Sequence, residues 1–249
     1  MNRSLLWMPV AVMMIAVSSA FAGEATQMWR CELDDDATEE QVIEAAQKWL
    51  AAARKVKGGE NLEAYVYFPV AVNAIGEHDL IFVVVAPTFE EWGEFWDGYS
   101  DSPAAKLDVE NRNIVVPTDS ALWESMTVKP PSGAGAPTSA GKATQMWKCE
   151  LDDDATEAQV MEAAEKWLAA ARTVKGGKNL EAHVYFPVAV NFPDETDLIF
   201  VVRAPTFKEW GQFWDRYADS PAAKLDKENR DFIVAPDSGL WEATKVKAE

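Results

Sequence analysis

Histidine and cysteine are almost missing from this 249-residue chain, which has two of each. The phosphate-cradling GxxxxGK[ST] loop, GxGxxG, CxxC, HExxH and the GxSxG elbow are all absent. Nucleotide-dependent, dithiol-redox, zinc-protease and α/β-hydrolase chemistry therefore have no motif to rest on. Basic residues are scarce as well: 23 Lys and Arg stand against 41 Asp and Glu, a formal net charge of −18. Binding to nucleic acid needs clustered cations to neutralise phosphates, so it is excluded. A neutral or cationic partner suits such a field better.

Long apolar runs are lacking after the first residues. Arg3, the apolar stretch Leu5 to Val17 and the Ser-Ala-Phe-Ala sequence ending at Ala22 have the layout of a secretion signal. The stretch is shorter than the ~18 to 20 residues that cross a bilayer. The expectation is removal at residue 22, no membrane association afterwards, and a periplasmic or secreted mature chain.

What the chain does have is a repeat. TQMWRCELDDDATEEQV from Thr26 returns as TQMWKCELDDDATEAQV from Thr144, and TFEEWGEFWDGY returns as TFKEWGQFWDRY. The offset stays at 118 through Trp123 and Trp241, with about three quarters of aligned positions identical. Residues 130–141, rich in Pro, Gly, Ser and Ala, read as a linker. The organisation is thus a signal at 1–22, one copy at 23–129, the linker, and a second copy at 142–249.

Each copy reads strand, helix, strand, strand, helix, strand. Gln27 to Leu33 opens it, and Thr38 with Gln41 has capping-box spacing before an apolar stripe through Trp49 and Val56. Gly58-Gly59 supplies a left-handed stop. Leu62 to Val72 and Leu80 to Ala86 are strands, and Leu122 to Val128 is the last. Thr88 with Glu91 caps a second helix whose Trp92, Phe95, Trp96 and Tyr99 should pack on a sheet. Gly93 and Gly211 would allow close helix–sheet approach. Asp34-Asp35-Asp36 and Asp152-Asp153-Asp154 precede helices and lack calcium-loop spacing, so they are read as caps. Cys31 and Cys149 are equivalent strand positions, expected as two buried thiols. A bridge would require their Cα atoms within ~7 Å.

This βαββαβ order defines an α+β, ferredoxin-like unit. Alternation turns Leu62, Ala64, Val66, Phe68, Val70 and Val72 toward the helices, with Trp29, Cys31 and Leu33. It turns Glu63, Tyr65, Tyr67, Pro69, Ala71 and Asn73 to the open face, with Met28, Arg30 and Glu32. The element order and the aromatic helix resemble the dimeric α/β-barrel superfamily, which includes antibiotic-biosynthesis monooxygenases, haem-degrading monooxygenases and stress-responsive barrels. The resemblance implies that the open faces of the two copies meet, giving a single-chain monomer with an internal pseudo-dimer. Two independent units, or pairing between chains, are the alternatives.

In that arrangement Arg30, Glu32, Glu63, Tyr65, Tyr67 and Asn73 would share a pocket with Lys148, Glu150, Glu181, His183, Tyr185, Asn191 and Arg203. Arg30/Lys148, Tyr65/His183 and Val85/Arg203 are differences between copies at this face. His78 matches Thr196, so no symmetric histidine site exists and haem degradation lacks its ligand. No metal or cofactor is called for. The expected role is binding a small organic ligand between the sheets. A cofactor-independent monooxygenase and a structural or stress-associated module without ligand are the other readings.

Overall fold

The computed structural model describes residues 23–72, 78–129, 142–190 and 196–248. The first copy contains β1 (Glu24–Leu33), α1 (Glu39–Ala53), β2 (Glu63–Val72), β3 (Leu80–Ala86), α2 (Phe89–Tyr99), α3 (Pro103–Glu110) and β4 (Val115–Thr127). A short 3₁₀ turn, Asn111–Asn113, precedes β4. The second copy contains β5 (Ala143–Leu151), α4 (Glu157–Ala171), β6 (Glu181–Val190), β7 (Leu198–Ala204), α5 (Phe207–Trp214), α6 (Pro221–Asn229) and β8 (Ile233–Lys245). The proposed signal, the linker, Asn73 and Asn191 lie outside the described residues.

The eight strands form one closed antiparallel barrel in the order β1-β3-β2-β8-β5-β7-β6-β4. Each copy contributes a four-stranded sheet whose two edges would otherwise carry unpaired backbone groups. Those edges pair across copies, with Tyr67 opposite Ala243 and Ser125 opposite Tyr185. Equivalent strands lie four places apart around the ring, so a pseudo-twofold axis runs along the lumen. The copies therefore form the internal pair expected from their open faces.

Strand alternation sorts side chains into an inner core and two outer ones. Met28, Tyr65, Tyr67, Trp123, Met146, Tyr185 and Trp241 belong to the inner cluster. Cys31, Leu62, Ala64, Val66 and Phe68 pack outward under α1 and α2. The alternation fails where β2 shifts register between Pro69 and Ala71. Val70 is consequently left 52 % exposed, and Val72 is at the barrel end beside Gly239 rather than under the helices. The last strand is longer than expected, because its first half pairs with the end of β1 from Val115 opposite Leu33.

Helix starts follow the caps. Gln41 N donates to Thr38 Oγ1 at 3.2 Å and Thr38 N to the Gln41 side chain at 2.8 Å; Thr156 and Gln159 repeat this. At Thr88 only half the box forms, since the Glu91 carboxylate instead accepts from Asn61 at 3.0 Å. Gly58 is left-handed (φ +81°) but comes four residues after the α1 cap at Arg54. Its role is close approach: a Cβ there would strike the backbone of Glu91 in α2. Gly93 and Gly211 do the opposite of what was expected, because a Cβ at either would meet nothing within 4 Å. Gly93→Ala and Gly211→Ala should each raise stability by up to about 1 kcal/mol, read as a higher urea midpoint. Among the described residues, no helix is long and apolar enough to cross a membrane.

Candidate ligand pockets

The lumen divides the expected site residues between its two ends. Along β1 the inward positions run from Thr26 through Met28 to Arg30, and Met28, Met146, Trp123 and Trp241 line the cavity toward the Arg30 end. At the Thr26 end, Arg203 Nη2 donates to Tyr67 Oη at 2.8 Å and to Tyr185 Oη at 3.1 Å. The guanidinium also lies 5.3 Å from the Tyr65 ring centre. Tyr65 donates to Glu63 at 2.6 Å, and Lys245 Nζ reaches the same carboxylate at 2.6 Å. His183 Nε2 is 3.8 Å from Glu181.

Burial governs protonation there. It pushes the Tyr65 and Tyr185 phenols well above their usual range, so both stay neutral. Burial and the nearby Arg203 cation lower the His183 pKa to about 4, leaving a neutral imidazole at pH 7. Burial disfavours the charge on Arg203, but the oxygens of Tyr67, Tyr185 and Tyr65 and the Glu181 carboxylate hold its pKa up.

At the other end, Arg30 is opposite Asp119, and Lys148 Nζ is 3.9 Å from Asp237. His78 stacks on Trp241 with ring centres 5.6 Å apart. The cavity between them has a volume of about 90 Å³, room for only a few atoms. Glu32 and Glu150 are exposed beyond the barrel end and do not join this cluster. Their strands continue past a register shift at Arg30/Cys31 and at Lys148/Glu150, which carries them out of the lumen.

The larger spaces lie outside the barrel, between helices and sheet, once in each copy. In the second copy β5 supplies Trp147 and Cys149, α4 supplies Trp167, β7 supplies Phe200, and Trp214 ends α5 just before Tyr217. These aromatic rings form a closed cycle. Successive ring-centre distances are 5.9 Å for Trp147–Trp214, 4.5 Å for Trp214–Tyr217 and 6.4 Å for Tyr217–Trp167. Trp167–Phe200 at 5.4 Å and Phe200–Trp147 at 5.9 Å complete it. The same cycle recurs as Trp29, Trp96, Tyr99, Trp49 and Phe82.

The two pockets differ in size: about 480 Å³ in the second copy and about 190 Å³ in the first. Among positions lining both, only Val115/Ile233 and Pro117/Ala235 differ. Ala235 trims one wall. The helical wall differs in sequence at a further position. Gly98 fits against Val56, where a Cβ would stand 3.0 Å from Cγ1, but its counterpart is Arg216. The α5 helix stops at Trp214, whereas α2 continues through Tyr99, yet the rings keep nearly the same spacing in the two copies, with Trp96–Tyr99 at 4.6 Å and Trp214–Tyr217 at 4.5 Å.

The aromatic part of the second pocket's wall is uncharged. Burial pushes the Cys149 thiol up to about 12, and burial likewise takes Tyr217 to about 12, so both hold their protons. Tyr217 Oη accepts from Trp167 Nε1 at 3.2 Å and keeps its own hydrogen to donate. At the rim, Asp226 and Arg230 form an exposed pair at 3.5 Å, beside Asn229. Both cysteines are buried free thiols. A histidine-held haem does not fit either pocket, because His78 and His183 are both in the barrel interior.

In the sequence these pocket residues read as packing on the sheet. The signal was the coincidence of outward Trp29, stripe Trp49 and helical Trp96 on one layer.

No protein-family model matches the sequence, and no curated protein matches it. Solved structures do. A candidate monooxygenase from Lactobacillus acidophilus NCFM superposes with a TM-score of 0.58 at 11% identity, covering 90% of this chain and 96% of that one. A candidate monooxygenase from Fusobacterium nucleatum gives 0.56 at 8% identity, covering 91% and 94%. A candidate chlorite dismutase gives 0.50 at 10% identity, covering 90% and 95%. With its eight-stranded barrel, the chain has the dimeric α/β-barrel fold, built from two ferredoxin-like halves on one polypeptide.

Proposed function

We propose that this protein binds a small organic molecule, and that the site is the helix–sheet pocket of the second copy rather than the lumen. The observation that carries the reading is a cavity of about 480 Å³, open on one side, whose lining combines five aromatic rings and aliphatic side chains with few polar groups. That volume and lining are those of ordinary small-ligand sites, where apolar walls supply affinity and a few polar groups fix orientation. Tyr217, Asn229 and Asp226 would orient a polar edge.

The test is a thermal-shift and calorimetric screen of mono- and bicyclic aromatic compounds against the mature chain. A hit should bind once per chain, perturb Trp fluorescence, and weaken about tenfold in Ala235→Pro, which restores the narrower wall of the first copy. Loss of binding in Trp96→Leu with retention in Trp214→Leu would place the site in the wrong copy. A complete lack of hits would sink the reading.

A second reading is a cofactor-independent monooxygenase acting in the same pocket. The names of two structural neighbours favour it, with a protonated Tyr217 phenol at the wall. It requires oxygen uptake with a quinol that Tyr217→Phe reduces. We also take the chain to be exported, on its first 22 residues. N-terminal sequencing of protein from the periplasm or medium should then begin at Gly23.

A further inference from the structure

The ring faces of an aromatic enclosure carry partial negative charge, and a cation held over them is stabilised beyond simple burial. In the second copy's pocket this property is not cancelled by the wall. Cys149 and Tyr217 are neutral there, and no Lys or Arg stands among the five rings. Among the described residues the cation at the mouth is Arg230, its side chain 68 % exposed at the C-cap of α6 and turned to Asp226 one helical turn away. An arriving positive group would take over that carboxylate and leave Arg230 to solvent. The long-range field adds to this, since a net charge of −18 concentrates cations near the surface. An anion would find no cation among the rings, only Arg230 already paired with a carboxylate at the rim, and a repelling field outside. A neutral molecule gains burial alone.

We infer that the ligand of this pocket is an organic cation, a quaternary ammonium or flat aromatic cation, caged by Trp147, Trp167, Trp214, Phe200 and Tyr217 and steered by Asp226. The inference rests on the pocket assignment above and specifies the charge of what enters it. The first copy keeps the same five ring types around about 190 Å³, so it takes only a smaller cation or none.

The test compares two molecules of the same shape, 4-hydroxy-N,N,N-trimethylanilinium and neutral 4-tert-butylphenol, by calorimetry at fixed ionic strength on the mature chain. The cation should bind at least about tenfold more tightly. Asp226→Asn and Trp214→Leu should each remove most of that preference, and Asp108→Asn in the first copy should leave it intact. Rising salt should weaken the cation and not the phenol. If Trp214→Leu proves unstable, Trp214→Phe, which keeps a ring, should retain most of the preference. Equal affinities for the two probes would overturn the cation and leave the pocket standing. A preference unchanged in both Asp226→Asn and Trp214→Leu would overturn the assignment of this charge to this cage. Failure of both probes, and of every neutral aromatic in the broader screen, would overturn the pocket itself.

Discussion

Trp123→Ala is expected to cost about 3–5 kcal/mol, the usual penalty for emptying a buried Trp site. The Trp123 side chain is fully buried inside the barrel. On β4 it stands opposite Thr26 of its own copy and Pro187 of the other, so it packs where the two copies are stitched together. Its counterpart Trp241 is opposite Pro69 across the other seam. The surrounding strands are locked in a closed ring and cannot collapse into the void. Most of the transfer and cavity penalties should therefore be felt together. Urea unfolding followed by far-ultraviolet circular dichroism measures this. A loss under about 1 kcal/mol would mean the lumen is already loosely packed, contrary to its buried cluster.

Acidification should destabilise the protein through His183, and the direction follows from its surroundings. The imidazole is 3.8 Å from Glu181, 3.4 Å from Thr127 Oγ1 and beside the Tyr185 ring, with the Arg203 cation close by. Its folded pKa of about 4 is below the ordinary value of 6.5. Between those pH values the unfolded chain binds a proton that the folded chain refuses, so stability is complete above pH 6.5 and is lost as pH falls toward 4. The shift corresponds to a loss of roughly 3 kcal/mol. His183→Tyr installs the first copy's own residue and should flatten that part of the profile. The comparison between variant and parent is needed because other groups titrate nearby; burial raises the Asp108 pKa, which pulls in the opposite direction. Parallel pH profiles for the two proteins would refute the role of His183.

The architecture was legible because duplication and alternation are local patterns. Thr38/Gln41 announced a helix, and the inward Tyr65 and Tyr67 announced a face that needed covering. Alternation stopped being a guide where a register shift intervened, which is why Val70 and Glu32 were misplaced. Alternation assigns a face but no depth: Arg30 and Arg203 share an interior yet belong to opposite ends, since position along the axis depends on pairing between copies. The pocket was harder still. An aromatic stripe has the same spacing whether rings meet or leave a gap, so cavities of about 190 and 480 Å³ leave no mark in it.

Tyr67 and Tyr185 are equivalent residues, and one guanidinium nitrogen holds both. Arg203 thus reaches the point where the two halves mirror each other, while its counterpart Val85 stays back. An assembly of two identical subunits could not do this: it would have to bring a pair of arginines to one spot and suffer their repulsion, or bring neither. Fusing the halves into one polypeptide releases the centre of the molecule from that obligation, so a lone charge can reside where symmetry would forbid it.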